Sequence, residues 1–322
     1  MFIIKYLAED FIVGESLKLK FEPGNYSYYR LKKENLTTHE ALNIISKSFH
    51  IPLKHINIAG LKDKKAVTFQ YISVYHGKES NLNLKNLSLE FLGKGKERLK
   101  LGLLESNNFS IIVRNLDKNK KYEKPGFIEN YYDEQRFSKN NKEIGKALIK
   151  RDFKKACSLL NLEAGNPLNS LSRIKNLKFY LHSYQSYLFN EYLSKLVKNG
   201  IKVKYSLGFF AFSDKQAKKQ IKNIKIPLLN FDTDLNEFPY YKKIMKKENL
   251  KLDDFIIRQV PSLIDETKKR DSIVKIRNLK VKYEKDNIFK NKLKAVLSFS
   301  LPSGSYATIL IKKMFNEIKN QT

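Results

Sequence analysis

Ala59-Gly60-Leu61-Lys62-Asp63-Lys64-Lys65-Ala66-Val67-Thr68-Phe69-Gln70 sets one carboxylate among three lysines. Ile56 to Ala59 has the pattern of a short apolar strand and Val67 to Val74 that of a longer, β-rich one. The charged tetrad therefore falls on a connection at a sheet edge. Connections held by strands are where chemistry concentrates, but an Asp near a Gly is also ordinary turn chemistry. The rest of the chain has to decide between these readings of Asp63.

Upstream, Met1 to Leu7, Phe11 to Val13, Leu17 to Phe21, and Tyr26 to Leu31 after the Pro23-Gly24-Asn25 turn are predicted strands. Thr37 and Glu40 form a capping box, after which Ala41, Ile44, Ile45 and Phe49 share a helical face until Pro52. Downstream, the strand from Val67 is followed by predicted strands at Leu87 to Leu92, Leu99 to Leu104 and Phe109 to Val113, with Glu105 to Asn108 as a connection. Asn130 to Phe137 is a polar and aromatic cluster with neither period. Glu143 to Leu160 and Phe179 to Val197 then read as helices, the second stopped by Asn199-Gly200. Leu181, Tyr184, Leu188, Tyr192 and Leu196 form its core stripe. From Ile201 to about Val274 the chain is lysine-rich, with runs such as Lys215 to Gln220. The end returns to a strand, Leu293 to Leu301, a turn at Pro302 to Ser305, and a helix marked by Ala307, Leu310, Ile311, Met314 and Ile318. This tail has the texture of residues 1 to 140 and is predicted to complete a first domain, the middle being inserted.

A chain of 322 residues accommodates two domains. Lys+Arg 62 against Asp+Glu 33 gives a net charge of +29, which points to a polyanion as partner, with nucleic acid first. Cys157 is the one cysteine, so a disulfide framework is excluded and a reducing, cytoplasmic compartment is predicted. His39, His50, His55, His76 and His182 show no zinc-ligand spacing, and no metal is predicted. The apolar start is too short for a signal peptide and no segment approaches the ~20 residues of a membrane span. There is no P-loop and no GxGxxG opening a helix, which speaks against a nucleotide cofactor. A monomer suffices. The remaining pieces allow a carboxylate nucleophile acting on a nucleic acid, with aromatics to stack a displaced base.

The chain resembles the TruD family of tRNA pseudouridine synthases over nearly its whole length. The family's AG-x-KD-x-x-A-x-T-x-Q signature is filled by Ala59, Gly60, Lys62, Asp63, Ala66, Thr68 and Gln70. Lys5 stands four residues ahead of an EDF-x-V-x-E segment met by Glu9, Asp10, Phe11, Val13 and Glu15. The NYFG-x-QRFG segment is matched by Asn130, Tyr131, Gln135, Arg136 and Phe137, with departures at Tyr132, Asp133 and Ser138. Leu99, Leu101, Gly102, Leu104, Asn107 and Phe109 match a further segment, as do Gln185, Ser186, Leu188, Phe189 and Asn190, and then Leu301, Pro302, Gly304, Ser305, Tyr306, Ala307 and Thr308.

The resemblance implies an α+β fold: a pseudouridine synthase catalytic domain, with a curved mixed or antiparallel sheet and flanking helices, at 1–155 and 275–322. An inserted α/β TRUD domain would interrupt it at 156–274. It implies a cofactor-free isomerase converting a uridine of tRNA, U13, to pseudouridine, with Asp63 as nucleophile. That carboxylate must be ionised, and Lys5 is the expected cation within about 4 to 6 Å. Asn130, Tyr132 and Phe109 are the expected substrate contacts, and Lys62, Lys64, Lys65 and Arg136 the expected phosphate contacts. Asp133, where the family carries Gly, is expected to strain its loop if positive φ is needed. The alternatives are an inactive RNA-binding protein of the same fold, and a nuclease or methyltransferase, the latter pair disfavoured by the missing metal-ligand clusters and glycine-rich loop.

Overall fold

The computed structural model describes residues 2–120, 122–162, 165–197, 200–213 and 222–315. Asn199, the Lys215 to Gln220 run and Ile318 lie outside them. The chain forms two compact units, the first made of the described parts of Met1–Gly126, Lys275–Ala307 and Met314–Glu317, the second of those in Phe127–Val274 and Thr308–Lys313.

The first unit begins with β1 (Phe11–Ser16), β2 (Tyr26–Glu34), α1 (Thr38–Phe49), β3 (Ile56–Ile58) and β4 (Val67–Tyr75). It continues with β5 (Leu82–Leu84), β6 (Leu87–Gly95) and β7 (Ser106–Leu116). In the second unit are β8 (Phe127–Glu129), α2 (Asn141–Ile149), α3 (Phe153–Leu159), α4 (Pro167–Ser172) and α5 (Leu177–Leu196). Then come β9 (Ile201–Tyr205), β10 (Gly208–Phe212), β11 (Lys225–Pro227), α6 (Tyr240–Glu248), β12 (Lys269–Asp271) and β13 (Ile273–Lys275). The chain ends with β14 (Arg277–Lys285), β15 (Leu293–Pro302) and α7 (Ala307–Phe315).

The first unit is built on one mixed sheet, of order β14-β15-β7-β1-β4-β2-β6-β5 with β3 also on β4. The pair β1–β4 is parallel and its neighbours are antiparallel. Helix α1 forms where the sequence predicts it: Glu40 N–H donates to Thr37 Oγ1 at 3.1 Å and Thr37 N–H to Glu40 Oε2 at 2.6 Å. His50, in the left-handed region, ends the helix ahead of Pro52. Its Ile45 and Phe49 pack on Tyr29, Leu31, Ile72 and Val74, the inward positions of β2 and β4.

Four predicted elements of the first unit differ. Of the expected strand Met1 to Leu7, the described residues 2–7 form none: Ile3 makes a bridge with Arg114, and Lys5 turns left-handed at φ +55°. Leu17 to Phe21 alternates correctly yet stays irregular, because β1 has already reached the end of its ladder at Ser16–Ser106. Leu99 to Leu104 is a turn, with Gly102 at φ +99°. Of the expected connection Glu105 to Asn108, Ser106 to Asn108 instead start β7, where Asn107 and Asn108 spend their polarity on Lys62 and Ser300. The predicted helix Glu143 to Leu160 breaks at Arg151, φ +57°, and restarts with Asp152 accepting from Lys155 N–H at 3.1 Å. In α5 the stripe of Leu181, Tyr184, Leu188 and Tyr192 is buried. The second unit starts at Phe127, and in it α2 packs on both α5 and α3.

The N-terminal segment that carries Lys5 is tied down by Arg114. Its guanidinium donates to both oxygens of Asp10 at 2.8 and 2.6 Å and to Asp286 Oδ1 at 3.2 Å, all three side chains being at most 4% exposed. Asp10 also accepts from Leu7 N–H at 3.0 Å. Replacing Arg114 by Met leaves two buried carboxylates without their cation and should cost about 3–5 kcal/mol in urea unfolding. A loss below about 1 kcal/mol would contradict this account of the N-terminal anchor.

Candidate active site

Asp63 lies on the connection between β3 and β4, and buried polar groups hold that connection from beneath. Lys62 N–H donates to Thr38 Oγ1 at 3.1 Å, and the Asp63 carbonyl accepts from Lys33 Nζ at 2.8 Å. Lys62 Nζ turns inward, 2.9 Å from Glu15 Oε1 and 2.8 Å from Asn107 Oδ1. Glu15 Oε2 accepts from Tyr71 N–H at 2.8 Å. The loop crosses this pair closely: a Cβ on Gly60 would lie 3.2 Å from Glu15 Oε1. With its main chain fixed, the Asp63 side chain, 31% exposed, meets Lys5 Nζ at 2.6 Å.

Lys5 reaches that position through its left-handed backbone, a conformation that costs roughly 1–2 kcal/mol for a residue with a Cβ. Its ammonium also sits 4.2 Å over the ring of Phe11. Phe11 meets the edge of Phe109, which stacks on Phe299 at 5.2 Å. Phe109, an expected substrate contact, is thus 8% exposed and backs Phe11. Lys62 also differs from expectation: at 7% exposure it is an internal partner of Glu15, not a surface cation. Lys64 and Lys65 are exposed, Lys64 beside Glu40 at 3.2 Å. Gly304 has φ +78° in the turn after β15.

The other expected residues belong to the second unit. Asn130 is buried: its Oδ1 accepts from Arg270 Nη2 at 2.6 Å, its carbonyl from Arg270 Nε at 2.8 Å, and its Nδ2 donates to the Asp271 carbonyl at 3.0 Å. The Arg270 guanidinium also lies 4.1 Å over the Tyr132 ring, which meets the edge of Phe189 and has the Arg136 guanidinium 5.8 Å from its centroid. Asn190 of α5 holds the Tyr132 main chain on both sides, accepting from its N–H at 2.9 Å and donating to its carbonyl at 2.8 Å. Arg136 stacks over Phe179 at 4.8 Å and donates to Ser186 Oγ at 3.3 Å. Asp133 is not strained: its φ is −88°, in extended backbone, and its carboxylate accepts from Lys312 Nζ at 2.5 Å and from Thr308 Oγ1.

Glu15, Phe11, Lys33 and Arg270 carry this geometry without having been predicted as site residues. The alternation of β2 held a signal for Lys33, since adjacent Lys32 and Lys33 cannot both face water. Burial lowers the Lys33 pKa from 10.5 to about 8, partly offset by Asp63. Among the described residues no group of three or more His, Cys, Asp or Glu side chains is placed to hold a metal ion, and no helix is long and apolar enough to cross a membrane.

The family model described as tRNA pseudouridine synthase D (TruD) matches residues 2–173 and 162–314. The chain is 32% identical to the tRNA pseudouridine synthase D of Aquifex aeolicus, with 97% of each chain covered. It is 31% identical to a Methanococcus maripaludis protein named "Probable tRNA pseudouridine synthase D 1", covering 96% of this chain and 98% of the relative. A crystal structure of a Methanosarcina mazei chain described as TruD superposes with a TM-score of 0.67 at 22% identity, over 98% of this chain and 93% of that one, and bears on the fold alone.

The two loop lysines should separate cleanly in urea unfolding. Lys62→Met strands the buried Glu15 carboxylate and should cost about 3–5 kcal/mol. Lys64→Met removes an exposed pair and should change stability by no more than about 0.5 kcal/mol. Equal effects of the two would contradict the inward placement of Lys62.

Proposed function

The chain belongs to the TruD family of tRNA pseudouridine synthases, and from that membership we propose that Asp63 is the nucleophile with which it isomerises U13 of tRNA. The observation that carries the proposal is the 2.6 Å contact between Lys5 Nζ and Asp63 Oδ2, made by residues 58 positions apart. A neighbouring cation favours the ionised carboxylate that nucleophilic attack needs. A chain that only held RNA would need cations, but not a half-buried carboxylate paired with one of them on a pinned loop.

The reaction breaks the bond between uracil N1 and ribose C1′, turns the base, and joins C5 to C1′. The C5 hydrogen leaves as a proton and N1 gains one, so the isomerisation is redox-neutral and needs no cofactor. Attack by the Asp63 carboxylate at C1′ or at uracil C6 satisfies the same balance, and either route releases the C5 hydrogen. The uridine must first leave its stack, at a cost of a few kcal/mol. Tyr132 and Asn130, both of the second unit, are kept in this proposal as substrate contacts. Lys64, Lys65 and Arg136 take phosphates, in an association weakened by salt. In this proposal the catalytic domain is 1–155 with 275–322, the inserted domain is 156–274, and the enzyme works as a cytoplasmic monomer.

Asp63→Asn should release no tritium above background from tRNA labelled at uridine C5, while its Kd for tRNA stays within about threefold of wild type. Turnover by that variant would remove Asp63 from the mechanism, and label release from a U13→C transcript would remove the site assignment.

A further inference from the structure

Lys33 is a buried ionisable group with no part in the reaction scheme above. The period of β2 puts Tyr29, Leu31 and Lys33 on the face covered by α1, and Lys33 is 0% exposed. A buried ammonium is costly unless it is hydrogen-bonded. Here Nζ donates to two main-chain carbonyls, Leu36 at 2.7 Å and Asp63 at 2.8 Å. Two parallel ties join the same segments: Asn35 N–H to the Ala66 carbonyl at 3.3 Å, and Lys62 N–H to Thr38 Oγ1 at 3.1 Å. An apolar side chain on β2 would fill the space below the loop but could not hold the carbonyl of Asp63 itself.

We propose that Lys33 is a positioning residue for the nucleophile, its ammonium fixing the backbone from which the Asp63 carboxylate reaches Lys5 and the uridine. The proposal rests on the reading of Asp63 as nucleophile. Charged donors make the stronger hydrogen bonds, so loss of the Lys33 proton loosens the loop. Facing Lys33 are Asp63 and Lys62 from the loop and Glu40 from α1; burial, joined by the like charge of Lys62, outweighs the two carboxylates and brings its pKa to about 8. Activity should therefore fall as pH rises through about 8. Stability moves the opposite way: between about 8 and 10.5 the unfolded chain holds the proton that the folded protein has released, so the cost of the buried charge is relieved and the fold becomes more stable as pH rises. A purely structural role for Lys33 would not set activity against stability in this way.

The test is single-turnover tritium release by wild type, Lys33→Met and Lys33→Arg from about pH 7 to about 9, with tRNA Kd and thermal midpoint measured alongside. Lys33→Met should be slowed about 10- to 100-fold with Kd within about twofold. Wild type should show a falling limb near pH 8 that Lys33→Arg, always charged, lacks. A folded Lys33→Met at wild-type rate, a flat wild-type profile, or a limb unchanged in Lys33→Arg would each overturn the proposal. If Lys33→Met does not fold, the other two profiles decide. An active Asp63→Asn would overturn the nucleophile reading and this proposal together, whereas an inactive Asp63→Asn beside unperturbed Lys33 variants would overturn this proposal alone.

Discussion

The contact between Lys5 and Asp63 is the interaction on which the arrangement of the first unit depends. A carboxylate proposed as nucleophile has to be charged, yet partly withdrawn from water and still open to substrate, and Asp63, 31% exposed beside the Lys5 ammonium, fits that compromise. Neither partner sits in regular structure. Lys5 lies in an irregular segment with left-handed backbone, and Asp63 on a connection between strands. Each is therefore fixed by its surroundings: Lys5 by the Ile3 bridge and the Arg114–Asp10–Asp286 cluster, Asp63 by Lys33 and by the Glu15–Lys62 pair beneath the loop.

These supports share a chemistry that is poor for stability alone. Buried ion pairs often do no better than apolar residues of similar volume. Glu15, Lys33, Lys62, Arg114, Asp10 and Asp286 are nevertheless all internal, and they converge on the two segments that deliver Lys5 and Asp63. Directional bonds fix a main chain in a way that apolar packing does not, and fixed geometry is what charge stabilisation at a reacting centre requires. The second unit repeats the pattern around Tyr132, whose ring is held by Arg270 and whose peptide groups are held by Asn190.

Elements with local signals were legible in the sequence. The Thr37–Glu40 capping box, the alternation of β4 and β15 and the aromatic stripe of α5 each announce their structure within a few residues. Leu17 to Phe21 carries the same alternation and forms no strand, because a strand also needs a neighbour, and the β1 ladder ends at Ser16. The polar start of β7 was hidden for the converse reason, its Asn107 and Asn108 being satisfied by residues far away in sequence. Within the site, Asp63 and Lys5 emerged from family motifs, not from spacing. Lys62 was misplaced because a lysine in a charged loop gives no sign of a buried Glu15 beneath it. Arg270 lies in a lysine-rich stretch whose pattern marks no residue above another.

The central claim is that Lys5 supplies the charge that keeps Asp63 competent, and its most direct measurement is the single-turnover rate of U13 conversion by Lys5→Met, with folding verified and tRNA Kd measured in parallel. The account predicts a fall of roughly 100-fold or more with Kd nearly unchanged and partial recovery in Lys5→Arg. A folded Lys5→Met that converts tRNA at the wild-type rate would contradict it.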